Sequence, residues 1–257
     1  SSNRPRLRIL PPQPKLMNPE GVNFDSFYTL RTQTVNKLSQ ALNDLDVLLV
    51  KGTPYCGKTG LAQLLARQLA HSTTAHIVSL SMIEAIDTDY NFEKHFSKWV
   101  GMRFGEYVQM KEDRYFLLDE AQISYDTNRA NSSALWDNTI KRVLGGRAPG
   151  LRVACFAAYD SMAATSSPTP YQLSTNHIVS LHPKPNLTFP LPGLLLTPEE
   201  VNEMCTSFTD RGGFPVSKDL ADYLWHVTGG HVGLLKSILT ILSQVTVISF
   251  FAAFGDA

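Results

Sequence analysis

The clearest chemistry in this sequence lies in one short run, Gly52-Thr53-Pro54-Tyr55-Cys56-Gly57-Lys58-Thr59, which fits the pattern G-x-x-x-x-G-K-[ST]. Glycines at both ends let the backbone curl until successive N–H groups point inward, a shape that fits phosphate oxygens. A helix that starts at Lys58 would add its free N–H groups and the positive end of its dipole. Lys58 supplies an ammonium for the β and γ phosphates, and the Thr59 hydroxyl is a ligand for magnesium. Gly60 continues the run into the helix, so residues 52–60 together are the expected nucleotide contacts.

A second site of chemistry stands downstream. Arg114-Tyr115-Phe116-Leu117-Leu118-Asp119-Glu120-Ala121-Gln122 is an apolar strand that runs into two carboxylates. An acid at such a strand end can hold magnesium beside a phosphate loop, a role that falls to Asp119. The neighbouring acid, Glu120, can polarise an attacking water as general base. By itself Asp-Glu after an apolar run is an ordinary strand end meeting solvent; the upstream phosphate loop gives the pair its meaning.

The elements that must position these groups alternate regularly. Helical spacing over 26–45 precedes a short apolar run, 46–52, that reads as a buried strand ending at the loop. Then come a helix (58–71), a strand (76–82), a helix (92–102), the acidic strand (115–120), a helix (132–144), a strand (152–158), a loop rich in Ser, Thr and Pro (161–176) and a fifth strand (177–181). Strand–helix alternation implies a parallel sheet covered on both faces. One strand and helix separate the phosphate-loop unit from the acidic strand, so the expected sheet order is 5-1-4-3-2. Ligands then bind at the carboxyl ends of the strands. The fold class is α/β, a P-loop NTPase with a five-stranded parallel sheet flanked by helices. After Pro190 only helices are predicted: one opened by Thr197-Pro198-Glu199-Glu200, one from Ser217 to about 227, and one from Gly230 to about 242. The apolar stretch 241–254 reads as a core-facing helix or strand. The expected organisation is an extended Pro- and Arg-rich arm (1–25), a P-loop core (26–190) and a helical lid (191–257), as a piece of a longer protein.

These motifs resemble the AAA+-related P-loop ATPases, and among them the signal-transducing STAND group. The resemblance rests on GTPYCGKT (52–59), on FLLDEAQ (116–122) and on Thr228-Gly229-Gly230-His231-Val232-Gly233-Leu234-Leu235, similar to the GG-x-P-x-x-L motif of STAND lids. In that family the motif packs by the adenine ring; Val232 stands here where Pro is usual, which puts the contact at that position in question. The resemblance implies ATP and magnesium as cofactors, His231 near the adenine, and Arg31 as the match to an arginine in the family's entry segment. It also implies a γ-phosphate sensor at the end of the fourth strand, where Asp160 or Ser161 stands in place of the usual Asn or Arg. A narrower resemblance is to the NTPase module of Crinkler effectors of fungi and oomycetes, carried by KGTPYCGKTGLA, LLDEAQ and FAAYDS (156–161). It implies a secreted protein active in host cytoplasm or nucleus, with a further C-terminal domain through which DNA could be contacted.

Composition narrows the partners. Lys+Arg 23 balances Asp+Glu 23, so the chain lacks the electrostatic footprint of a dedicated nucleic-acid binder. Cys56, Cys155 and Cys205 are too dispersed for a disulfide framework or a metal site, and the simpler reading is an intracellular, reducing environment. Cys56 reads as a small loop filler before a reactive thiol. No stretch reaches the length of apolar sequence that spans a membrane. No N-K-x-D base-reading motif appears, which favours ATP over GTP. An arginine finger could be Arg129, Arg142 or Arg147, and self-association could supply it in trans. Trp99, Trp136 and Trp225 read as core. The expected function is magnesium-dependent ATP binding and hydrolysis, with Lys58 and Glu120 catalytic. The alternatives are a nucleotide switch with little turnover and an ATPase serving a DNA-directed nuclease.

Overall fold

In the computed structural model, residues 22, 26–82, 92–125, 133–158 and 173–254 are described, the side chains of Phe92, His95 and 245–254 excepted. The strands are β1 (Val47–Gly52), β2 (His76–Ser81), β3 (Arg114–Asp119), β4 (Leu151–Ala158) and β5 (Ile178–Val179). They form one parallel sheet in the order β2-β3-β4-β1-β5, the arrangement expected from the spacing of the motifs.

Alternation of side chains along each strand divides the core in two. Val47 and Leu49 of β1, Phe116 and Leu118 of β3, and Val153 and Cys155 of β4 face one side. Their neighbours Leu48, Val50, Tyr115, Leu117, Ala154 and Phe156 face the other. Both sets are buried, so the strands read as continuous apolar runs, as a doubly covered parallel sheet requires. The second face is covered by α1 (Thr32–Leu45) and α2 (Lys58–Ser72), through Leu38, Leu42, Leu61 and Leu65. The first is covered by α3 (Phe92–Val100), α4 (Phe104–Gln109) and α5 (Ser133–Ile140) with α6 (Lys141–Leu144). There Phe96 packs edge-on against Phe104 and Phe116 at centroid separations of 5.0 and 6.0 Å.

The lid has its own apolar cluster. α7 (Pro198–Asp210), α8 (Lys218–Thr228) and α9 (Val232–Phe254) meet through Val201, Met204, Phe208, Leu224, Leu235 and Leu239. Leu191 and Leu194 still pack with the sheet, and the lid cluster begins at Leu196. The start of α7 is the capping box expected from the sequence: Thr197 Oγ1 accepts from Glu200 N, and Glu200 Oε2 accepts from Thr197 N. Gly230 is essential to the lid's geometry. Its φ is +77°, and a Cβ there would lie 2.3 Å from the Leu196 carbonyl oxygen, while its own carbonyl accepts from Leu196 N at 2.8 Å.

Five elements differ from the sequence reading. α1 begins at Thr32 instead of 26, because residues 27–31 are non-helical and hydrogen-bonded to the lid, with Arg31 left-handed at φ 50°. The helix at 133–140 is a π-helix, with Thr139 Oγ1 donating to Ala134 O five residues back. A short helix, α4, follows α3 after Gly101. β5 is two residues long. α9 continues to Phe254, since Ser243, Gln244, Thr246 and Ser249 interrupt apolarity without breaking a helix as Gly or Pro would. Among the described residues no helix is long and apolar enough to cross a membrane. Apart from Val22, the arm at 1–25 lies outside the described residues, as do Arg129, Asp160, Ser161 and most of the loop 161–176.

Candidate functional site

The phosphate loop leaves β1 at Gly52 and closes on α2. Side-chain-free backbone is obligatory at its start: a Cβ on Gly52 would lie 2.5 Å from Cys56 Sγ and 2.6 Å from Leu194 Cδ1. Tyr55 and Gly57 take left-handed conformations, with φ of 60° and 90°, and produce the curl that turns amides inward. Lys58 is buried and folds back on the loop, donating from Nζ to Gly52 O at 3.2 Å and Thr53 O at 2.9 Å. Those carbonyls hold the ammonium over the hollow of the loop. Cys56 is buried inside the loop, and burial pushes its thiol above the ordinary value. A thiol so placed is not a thiolate nucleophile, which agrees with its reading as a filler.

Across from the loop, β3 delivers Asp119 and Glu120. Asp119 is buried, with its Oδ1 lacking any hydrogen-bond partner, and the Thr59 hydroxyl beside it favours the charged carboxylate. Burial, reinforced by the charge of Glu120, pushes its pKa from the ordinary 3.8 to about 6, against the pull of the Thr59 hydroxyl and Lys58. A buried carboxylate oxygen without a donor, beside a hydroxyl, is a set of hard oxygen ligands suited to a magnesium ion. Thr59 and Asp119 therefore fit the metal role expected of them.

The raised pKa sets a measurable dependence on pH. The protonated carboxyl is the form the fold prefers, so its stability contribution is complete below 3.8 and lost as pH rises through about 6. Asn mimics the protonated state. Asp119→Asn is expected to be more stable than wild type at about pH 7.5, by up to about 3 kcal/mol. The gap should close as pH falls toward about 4. Urea unfolding without nucleotide or magnesium measures it, and equal stability of the two at high pH would contradict the burial of this group.

Glu120 follows directly, with φ at 55°, a left-handed backbone uncommon for a non-glycine residue. It lines the cleft, and its Oε2 accepts from Gln122 Nε2.

Above these groups is a cleft of about 440 Å³, within the range of small-molecule sites. Lys58, Thr59 and Glu120 form its polar floor. Phe27, Leu61, Leu64, Met204 and Val232 form an apolar wall suited to a flat base. The lid closes directly on the phosphate loop. Gly233 N donates to Tyr55 O at 3.1 Å, and a Cβ on Gly57 would come within 2.9 Å of Val232 Cγ1. The Thr228–Leu235 segment thus touches the loop, with Val232 itself at the contact. His231 does not line the cleft; its Nδ1 accepts from Leu234 N at the start of α9.

Arg31 lines the cleft but is not free to meet a phosphate. Its Nε pairs with Glu200 at 3.1 Å, its Nη2 donates to Leu195 O, and both side chains of the pair are buried. Thr34 Oγ1 donates to the other oxygen of Glu200, and Thr29 Oγ1 donates to Glu203. This network ties the entry segment to α7, so Arg31 shapes the cleft by joining lid to core. Arg142 and Arg147 lie on α6 and the turn after it, outside the cleft. Trp136 is core as expected and donates to Ser124 Oγ, whereas Trp99 is 38% exposed on α3.

Sequence reasoning missed the base-side wall, Phe27, Leu64 and Met204, and the part played by Gln122. The wall carries no motif, because apolar lining is read only once the lid is folded over. Gln122 stood inside the quoted FLLDEAQ, but nothing in a linear motif shows which way an amide reaches.

No protein-family model matches the chain, and no curated protein matches it significantly. Solved structures similar to it include C. elegans PCH-2, at 19% identity and a TM-score of 0.35 over 55% of this chain and 41% of that one. The replication initiator DnaA bound to AMPPCP and single-stranded DNA aligns at 15% identity and a TM-score of 0.47, over 88% of this chain and 66% of that one. AMPPCP-bound DnaA from Aquifex aeolicus aligns at 12% identity and a TM-score of 0.47, over 88% and 65%. The chain spans less than two thirds of the length of each.

Proposed function

We propose that this chain binds ATP with magnesium between its sheet and lid and hydrolyses it, as the ATPase module of a larger effector or signalling protein. The observation that carries this reading is the convergence of Lys58, Thr59 and Glu120 on one cleft whose far wall is apolar and closed by the lid, with Asp119 buried behind Thr59.

In this mechanism the backbone N–H groups of the loop, Pro54 having none, and Lys58 Nζ hold the β and γ phosphates, and the two loop carbonyls keep the ammonium in place. Thr59 and Asp119 would hold magnesium, which supplies positive charge against the developing charge of the phosphates. Glu120 accepts a proton from water as the water oxygen bonds to the γ phosphorus. The bond from phosphorus to the β–γ bridging oxygen breaks, its electron pair stays with that oxygen, and ADP and phosphate leave. Phe27, Leu64 and Met204 take the base by apolar contact, which does not by itself select adenine over guanine.

A second reading, a nucleotide switch with little turnover, is favoured by Arg31. Among the described residues it is the one arginine lining the cleft, and Glu200 occupies it. Transition-state charge would then come from Lys58, from Lys236 of the lid, which also lines the cleft, and from magnesium, unless another copy or a partner adds an arginine. Within this proposal the chain is a STAND-type AAA+ ATPase of the Crinkler kind, for which the contact of Val232 with Gly57 is the structural support: the lid motif meets the phosphate loop. The effector setting, with action in a host cell and DNA reached through another domain, belongs to the same proposal. Phosphate release from ATP by the purified chain, alone and after concentration, separates enzyme from switch; absence of release at any concentration would leave the switch.

A further inference from the structure

We propose that Gln122 is a positioning residue that ties the general base Glu120 to the phosphate loop; the inference rests on the role given to Glu120 above. The ladder between β3 and β4 ends at Leu118 opposite Cys155, while β4 runs on to Ala158. β3 turns away at Glu120, whose left-handed φ of 55° takes the chain out of the sheet. The last N–H of β4 is therefore beyond the reach of a strand partner on that side. The Gln122 side chain takes the place of the missing strand: its Oε1 accepts from Ala158 N at 3.0 Å.

The same amide turns its other end to the carboxylate, with Nε2 donating to Glu120 Oε2. Ala158 in turn stands opposite Gly52 in the register of β1 and β4, and Gly52 O accepts from the Lys58 ammonium. A continuous path thus runs from the ammonium through Gly52, across the sheet to Ala158, through the Gln122 amide to the carboxylate of Glu120. A planar amide bonded at both ends has little rotational freedom. It directs Oε2 of Glu120 relative to a loop that is itself set by the phosphates. The half-buried side chain of Glu120 would otherwise sample several rotamers, few of which face the attacking water.

The two bonds can be cut separately. Gln122→Glu keeps an acceptor for Ala158 N and removes the donor to Glu120. Gln122→Met keeps the length and removes both. Steady-state phosphate release, ATP binding and melting temperature are measured for both, beside wild type and Glu120→Gln. Positioning requires kcat to fall by about ten- to a hundredfold in both variants, with the dissociation constant for ATP within about twofold of wild type. A purely structural role for Gln122 requires Gln122→Glu to turn over like wild type and Gln122→Met to lose melting temperature; that result overturns the proposal. Gln122→Met carries no charge beside Glu120 and serves alone if Gln122→Glu does not fold. An inactive Glu120→Gln with a fully active Gln122→Glu sinks the positioning claim alone. An active Glu120→Gln removes the base assignment, and this inference with it.

Discussion

Lys58→Ala is expected to cut to half or less the rise in melting temperature that ATP and magnesium give the wild-type chain. A ligand at about a hundred times its dissociation constant stabilises a folded protein by about 2.7 kcal/mol. For a chain of this size that is a shift of roughly 5–10 °C. The ammonium is the one charged side chain of the phosphate loop, buried and held by two carbonyls over the place a polyphosphate would fill. A charge-assisted contact of this kind contributes roughly 1.5–3 kcal/mol, or about ten- to a hundredfold in affinity. At the same ATP concentration the variant should therefore keep only about 0.4–1.4 kcal/mol of that stabilisation, a shift of half the wild-type value or less. Its melting temperature without ligand should fall by a few degrees, since the buried Gly52 O and the part-buried Thr53 O each lose a donor worth roughly 1 kcal/mol. Differential scanning fluorimetry measures both quantities. An unchanged shift in Lys58→Ala would remove the phosphate site from residues 52–59.

Glu120→Gln is expected to lower the rate of phosphate release by about a hundred- to ten-thousandfold while leaving ATP binding intact. The amide keeps the size of the carboxylate and cannot take a proton from water. Glu120 lines the cleft without contacting the loop's ammonium, so its loss removes a group needed in the transition state and spares the ground state. The lost negative charge also relieves Asp119, whose carboxyl Glu120 helps to hold in its protonated form. Magnesium-dependent ATP binding by the variant should accordingly be equal to or tighter than that of wild type. Equal rates for wild type and variant would mean that any hydrolysis proceeds without this carboxylate.

Much of the architecture was legible before folding because it depends on short-range rules. An apolar run ending in Gly52 and a helix starting at Lys58 are set by local spacing. One intervening strand before Asp119 implied the order 5-1-4-3-2, and the sheet has it. The capping box at Thr197 and Glu200 was visible for the same reason: its partners are three residues apart. The start of α1 was not, since what holds residues 29–31 out of the helix is Glu200 and Glu203, about 170 residues further along the chain. Helical periodicity cannot compete with a partner that periodicity does not contain.

Arg31 shows the limit most directly. As a residue ahead of the first strand it could face phosphate; in the fold it is buried against Glu200 and serves the joint between core and lid. His231 likewise stands in the expected motif but directs its ring to the first turn of its own helix. Sequence by itself determined which chemistry is present: the curled loop, the ammonium, the hydroxyl and the acid pair, because each lies within a few residues of the backbone feature that presents it. Tertiary structure alone decided the rest: the apolar wall for a base, the seat of Val232 on Gly57, and the amide that links Glu120 to Ala158. Those contacts join residues far apart in the chain, and their directions arise only when sheet, entry segment and lid exclude water from one another.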